Sequence, residues 1–93
     1  MSSDALERAV TVENRQGIHM RPATALINLA NQYEAAIEIS SPERTVNGKS
    51  IMELLTLGAA QGTPLTLRAE GNDAAEALEA IAKLIEGGFG EDL

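Results

Sequence analysis

The chain has 93 residues, of which 44% are apolar, and its 14 acidic and 7 basic side chains give a formal net charge of −7. This length fits a single domain over residues 1–93, and so acidic a chain is not expected to bind nucleic acid or an anionic membrane, because both require dense Lys and Arg. It has no cysteine and one histidine, which excludes disulfides, thiolate metal sites, cysteine nucleophiles and His-rich metal clusters.

The first half of the chain alternates between strand-like and helix-like hydrophobic patterns. Period-two alternation predicts a strand from about Leu6 to Glu13, and apolar residues at helical spacing predict a helix over Arg21–Tyr33. Alternation returns over Ala36–Ser40. The segment Ser41–Arg44 is typical of a turn, after which Thr45-Val46 is expected to pair back as a short strand.

The next helix is predicted by a capping pattern. Ser50 and Glu53 fit the S-x-x-E sequence, in which side chains satisfy the free N–H groups of a helix start. A short helix over Ile51–Leu57 should follow, and Gly58 is well placed to end it. Alternation over Pro64–Ala69 then predicts another strand.

The last predicted element is a helix that starts with a second capping pattern at Asp73 and stops at Gly87-Gly88. Its apolar stripe comprises Ala74, Leu78, Ile81 and Ile85. The element order is therefore β-α-β-β-α-β-α. Strands with one apolar face indicate an antiparallel sheet covered on one side by helices, so the predicted fold class is an α+β open-faced β-sandwich with four strands.

The segment from Gly17 to Ala23 carries the candidate chemistry. Pro22 suits the first turn of a helix, which places His19 at or just before the helix start, where free N–H groups and the helix dipole attract phosphate. Arg21 can reach the same phosphoryl oxygens, and Arg15 adds a second nearby cation. From spacing alone, a lone histidine near a helix start is more commonly a helix cap or an ordinary surface residue.

Two motifs resemble a known family. G-I-H-M-R-P-A, and later N-G-K-S-I-M-E-L-L-T-L-G-A, are similar to those of the histidine-containing phosphocarrier (HPr) family of the bacterial sugar phosphotransferase system, over about residues 6–89. The resemblance implies an open-faced β-sandwich in which His19 accepts a phosphoryl group on Nδ1 from phospho-enzyme I and donates it to IIA proteins. It also implies that Arg21 contacts the phosphate and that Pro22 sets the helix start.

Ser50 has two interpretations. The resemblance implies a regulatory serine that HPr kinase/phosphorylase phosphorylates. Ser50 followed by Glu53 is also simply a helix cap. Both roles are compatible with a helix N-terminus, although the Glu53 carboxylate in the same turn would oppose a phosphoserine.

A partner-docking patch is predicted on the short helix. Its apolar residues cannot all face the core, and Leu54 and Leu57 suit burial best. The residues expected at the patch are Met20, Ile51, Met52 and Leu55. Exposed apolar patches often mark partner sites. The alternative is that these residues simply extend the apolar face that the helix packs against the core.

Other functions remain open at this point. One is a regulatory module that docks to a regulator, and another is the nitrogen-related branch of the phosphotransferase system, of which the ending Gly-Phe-Gly-Glu-Asp is reminiscent. A stand-alone enzyme is least expected, since no metal site, nucleotide loop or acid/base pair is visible, and no cofactor is implied. With neither a membrane span nor a leader pattern, the chain is expected to be cytoplasmic and not inserted in a membrane. It is also expected to be a monomer.

Overall fold

A computed structural model describes residues 5–91, so the ends of the predicted domain over residues 1–93 lie outside the described residues. Four antiparallel strands form one sheet in the order β1-β4-β2-β3. The strands are β1 (Leu6–Thr11), β2 (Ala36–Ser40), β3 (Thr45–Asn47) and β4 (Pro64–Glu70), and the helices are α1 (Met20–Ala30), α2 (Ile51–Thr56) and α3 (Ala74–Glu86). The predicted element order and the α+β open-faced sandwich are confirmed.

Alternating side chains give the sheet a single buried face. Val10 of β1 lies opposite Leu65 of β4. Ile39 of β2 lies opposite Leu67 on one side and Val46 on the other. All five side chains are buried. Because successive residues of a strand point to opposite faces, the intervening polar residues are left on the open face, as the period-two pattern predicted.

The helices cover the buried face of the sheet. Helix α3 packs on β1 and β4, α1 packs on α2 and α3, and α2 also contacts β3. The stripe of α3 expected from the sequence is buried, and Leu26 of α1 is completely inaccessible to solvent. The core is therefore one layer of side chains between the sheet and the helices, and the N-terminus of α1 lies at its margin.

Helix α1 begins one residue earlier than predicted and ends three residues earlier. Asn31 N–H makes the last helical bond, to the Ile27 carbonyl, and the chain then turns through tighter bonds from Gln32 N–H to the Leu29 carbonyl and from Tyr33 N–H to the Ala30 carbonyl. A three-residue turn, Gly88–Gly90, follows α3 and was not predicted. This terminal turn brings Glu91 back towards the start of α1.

Asp73 occupies the N-cap position of α3, as its sequence pattern predicts, but its side chain does not cap the helix. Its carboxylate accepts hydrogen bonds instead from the backbone N–H of Glu34 (2.8 Å) and Ala35 (2.9 Å) in the loop before β2. These two bonds, led by that from Glu34, hold the pKa of Asp73 below its usual value. Asp73 thus ties the start of α3 to a distant loop.

Replacing Asp73 with asparagine should lower the free energy of unfolding at neutral pH. One of the two accepting carboxylate oxygens becomes an amide nitrogen, which cannot accept a hydrogen bond. With a lowered pKa in the folded state, the wild-type contribution is complete above about pH 4 and is lost as pH falls through that lowered pKa. Urea unfolding at about pH 7 and about pH 2 should therefore show the difference from wild type shrinking in acid. The same difference at both pH values would contradict this role for the carboxylate.

Candidate functional site

The loop that leads into α1 is held against the segment after α2. Ile18 N–H donates to the Ala59 carbonyl at 2.9 Å, and Gly17 N–H donates to the Asn14 carbonyl at 3.1 Å. Gly17 has φ +69°, a left-handed conformation that glycine adopts without steric cost. These contacts fix the backbone immediately before His19.

His19 stands at the N-cap position of α1. Its carbonyl accepts the Ala23 N–H at 3.0 Å, which begins the helix, but its side chain makes no capping bond. Pro22 is buried in the first turn, where its missing N–H costs nothing. The His19 side chain is 36% exposed. The imidazole is therefore both accessible and beside the positive end of the helix dipole.

Glu91 brings His19 and Arg21 together. Its Oε2 lies 3.1 Å from His19 Nε2, 2.8 Å from Arg21 Nη2 and 3.2 Å from Arg21 Nε. Its other oxygen, Oε1, accepts a bond from Asn14 Nδ2 at 2.9 Å. One carboxylate thus joins the loop, the start of α1 and the terminal turn.

The Glu91 carboxylate is a well-stabilised anion. Hydrogen bonds from Arg21, and then from Asn14, hold its pKa below the usual range, and burial opposes this only in part. Its side chain is 10% exposed, whereas that of Arg21 is 75% exposed. A cavity of about 300 Å³ beside it is lined by Arg15, Gln16, Arg21 and Glu91. The two arginines expected to flank His19 therefore line one cavity together with the Glu91 carboxylate, and His19 is not among its lining residues.

Two residues of this site were missed in the sequence. Asn14 is completely buried, with Nδ2 donating to the Gly17 carbonyl at 2.7 Å and Oδ1 lacking a partner among the described residues. Its signal was an asparagine three residues before a glycine, a turn-forming combination. Glu91 carried no such signal, because only the unpredicted terminal turn places it beside His19.

Ser50 caps α2 as predicted. Its Oγ accepts the Glu53 N–H at 3.2 Å. The Glu53 carboxylate does not return a bond to Ser50, as a complete capping box would require. It accepts the Asn47 N–H at 2.9 Å instead. The cap is therefore one-sided, and the Glu53 side chain links α2 to β3.

The predicted docking patch is narrower than the sequence suggested. Met20 and Met52 are 59% and 74% exposed. Ile51 and Leu55 are half-buried and pack against the core, so they contribute only part of their surface. Leu54 and Leu57 are buried as expected. Two methionines, one on α1 and one on α2, are thus the main exposed apolar side chains of the patch.

Within residues 5–91, no group of three or more His, Cys, Asp or Glu side chains is arranged to hold a metal ion. None of the helices in that range is long and apolar enough to cross a membrane.

Comparisons with known proteins agree on one family. The family model described as "PTS HPr component phosphorylation site" matches residues 6–87. Phosphocarrier protein HPr of Neisseria meningitidis serogroup B is 38% identical over 86 residues, covering 92% of this chain and 97% of that protein. Multiphosphoryl transfer protein of Haemophilus influenzae is 34% identical over 94 residues, covering 98% of this chain. This chain spans only 19% of that longer relative.

Solved structures lead to the same family. HPr-C-His from Thermoanaerobacter tengcongensis superposes with a TM-score of 0.90 at 39% identity, covering 95% of this chain and 99% of that one. An HPr dimer from the same organism gives a TM-score of 0.74 at 39% identity, covering 88% and 94%. With the family model matching most of its length and an HPr-like sandwich beneath the His19 site, the chain belongs to the HPr family of phosphocarrier proteins of the phosphotransferase system.

Proposed function

We propose that His19 accepts a phosphoryl group from phospho-enzyme I and passes it to IIA proteins. The observation that carries this proposal is that His19 and Arg21 both reach a single oxygen of Glu91, at 3.1 and 2.8 Å. An imidazole and a guanidinium that converge on one anionic oxygen can also converge on one phosphoryl group. Imidazole is a suitable carrier because it is largely neutral, and so nucleophilic, at physiological pH.

The site suits a carrier better than a stand-alone enzyme. A carrier must present its phosphoryl group to two partners in turn, and both His19 and Arg21 are accessible at the surface. In-line transfer depends mainly on positioning and on stabilising charge, and a partner can supply both. We place the protein in the cytoplasm, where enzyme I and IIA proteins would meet it, and we propose that it acts as a monomer.

The proposal is tested by incubating the protein with phosphoenolpyruvate and enzyme I. Mass spectrometry should show one added phosphate that is stable to base and labile to acid. Because the chain has one histidine, a phosphohistidine can only be His19. Parallel reactions with a sugar-type and a nitrogen-type enzyme I would assign the branch by which one reacts faster. No phosphate from either donor would favour the alternative of a regulatory docking module.

We further propose that the two exposed methionines, Met20 and Met52, together with the accessible parts of Ile51 and Leu55, form the surface on which these partners dock. Flexible thioether side chains adapt to more than one partner. Helices α1 and α2, which carry them, pack against each other. The surface would therefore be continuous with the helix that presents His19.

Ser50 is proposed as a regulatory site for HPr kinase/phosphorylase, in addition to its role as a cap. As a cap, Ser50→Ala should lower the free energy of unfolding by about 0.5–2 kcal/mol. Ser50→Asp should restore much of this, because aspartate also caps well. The new charge beside Ile51 and Met52 should nevertheless slow phosphate acceptance from enzyme I, since an unpaired charge at an interface is costly.

Ser41 provides a matched control, because its Oγ also accepts backbone N–H groups, from Glu43 and Arg44, in the turn between β2 and β3. Ser41→Asp adds the same charge away from the N-terminus of α2 and should leave phosphate acceptance unchanged. Thermal melts and phosphotransfer rates would be measured on all four proteins. Equal rates for Ser50→Asp and wild type would leave Ser50 as a helix cap only.

A further inference from the structure

We propose that Glu91 is a positioning residue for phosphoryl transfer: its carboxylate keeps the imidazole proton of His19 on Nε2 and leaves Nδ1 as the nucleophile. This inference rests on the proposed function of His19. The proposal means that the site is built from two chain segments: the motif around His19 and the terminal turn after α3.

The hydrogen-bonding partners of the ring determine where its proton lies. A neutral imidazole has one nitrogen that donates and one that accepts. An ionised carboxylate can only accept, and Glu91 is held as an anion by Arg21 and Asn14. The nitrogen at 3.1 Å from Glu91, Nε2, must therefore be the donor. The ring makes no capping bond to α1, and among residues 5–91 its one side-chain hydrogen bond is that from Nε2 to Glu91, so the Nδ1 lone pair is free of those residues.

Glu91 is itself fixed in place, as a positioning residue must be. Asn14 holds Oε1, and Asn14 is completely buried and anchored on the Gly17 carbonyl at 2.7 Å. On the other side, Gly88, Phe89 and Gly90 all adopt positive φ. Left-handed backbone is costly for a non-glycine residue such as Phe89, whose side chain packs against the core. The turn that delivers Glu91 is thus a specific, packed conformation.

Arg21 can serve the phosphoryl group while it holds Glu91. A guanidinium has five N–H groups, and Arg21 uses Nε and Nη2 for the carboxylate. Its remaining N–H groups are left for phosphoryl oxygens. The Arg15 side chain lines the cavity beside Arg21 and Glu91, so a second cation lies on the Arg21 side of the site.

The transfer step balances without a proton transfer. The Nδ1 lone pair forms the N–P bond as the bond between phosphorus and the donor's leaving group breaks, and that bond's electron pair stays with the leaving group. The ring keeps its proton on Nε2 and becomes cationic. The Glu91 carboxylate faces this new positive charge and stabilises it. The same protonated ring is a good leaving group when the phosphoryl group moves on to the next acceptor.

The first test observes the tautomer directly. Proteins labelled with ¹⁵N in the imidazole are compared by NMR at about pH 8.5, roughly two units above the pKa of model histidine peptides. Wild type and Glu91→Gln, whose side-chain oxygen still accepts a bond, should show a proton on Nε2 only. In Glu91→Ala the ring shifts should move towards the tautomer mixture of free imidazole. Wild-type shifts in Glu91→Ala would overturn the proposal, and thermal melts would verify that each variant is folded.

The second test measures phosphate acceptance from enzyme I. Glu91→Ala should be slower by about tenfold, the equivalent of roughly 1.4 kcal/mol for one lost charge-assisted hydrogen bond. Glu91→Gln should lie between that variant and wild type. Glu76→Ala removes an exposed carboxylate from the first turn of α3 and should leave the rate unchanged. Faster acceptance by Glu91→Ala would mean that the carboxylate competes with the phosphoryl group, and this would overturn the proposal.

A double variant distinguishes an effect of Glu91 on the His19 ring from an effect through Arg21. If Glu91 acts on the ring, adding Glu91→Ala to Arg21→Ala should still move the imidazole shifts. If it acts only by holding Arg21, the added change should move nothing, and the proposal would be wrong. The NMR comparison needs no enzyme I. It therefore tests the role of Glu91 independently. If wild type accepted no phosphate, the proposed function would fail, but the NMR result would still show whether Glu91 sets the tautomer of His19.

Discussion

Replacing His19 with alanine should abolish phosphate uptake from phosphoenolpyruvate and enzyme I. His19 is the only histidine in the sequence, so no second side chain can form a phosphohistidine. The loss should be complete, because the variant lacks the nucleophile itself. Labelling followed by mass spectrometry of the intact protein would measure it.

The fold should survive this substitution. The His19 side chain does not cap α1, and its bond to Glu91 lies at a partly exposed site, where water competes for both partners and the loss of the contact costs little. Gln32→Ala, an exposed change in the turn that follows α1, is a suitable control and should take up phosphate like wild type. Equal labelling of His19→Ala and wild type would place the phosphate on another residue and remove the basis of the proposed function.

The sheet and helices were predictable because their signals are local. Alternation in Ala36–Ser40 and the apolar stripe of α3 each reflect one buried face, and a buried face imposes its period on the sequence. Ser50 was predictable for the same reason, since its bond to Glu53 spans three residues. The capping pattern at Asp73 failed because the partners of its carboxylate, Glu34 and Ala35, lie in a loop far away in the sequence.

The site was only half predictable for a related reason. His19 and Arg21 belong to one short segment with Pro22, and helix-start rules apply to it directly. Glu91 reaches His19 across 72 positions, through a turn whose left-handed backbone includes the non-glycine Phe89. No periodicity or capping rule predicts such a turn, because packing of the Phe89 side chain stabilises it. Long-range polar contacts of this kind have to be seen in the structure.

Replacing Gly17 with alanine should destabilise the protein strongly. A Cβ at this position would lie 2.3 Å from the Ala59 carbonyl oxygen and 2.9 Å from Ala60 Cα. Both are backbone atoms, so relief requires the two segments to separate and the bond from Ile18 N–H to the Ala59 carbonyl to break. Left-handed strain of about 1–2 kcal/mol, overpacking of about 1–3 kcal/mol and a lost bond of about 1 kcal/mol together give a loss of roughly 3–6 kcal/mol.

Gly58 isolates the steric part of this effect. It also has positive φ, at +64°, but a Cβ there would meet nothing within 4 Å. Gly58→Ala should therefore lose only the strain of about 1–2 kcal/mol. Urea unfolding of both variants would compare them. Because the contact with Ala59 also fixes the backbone before His19, folded Gly17→Ala protein should accept phosphate more slowly than folded Gly58→Ala. Equal stability of the two variants would show that the close approach to Ala59 does not constrain the loop. The placement of His19 would then not depend on that contact.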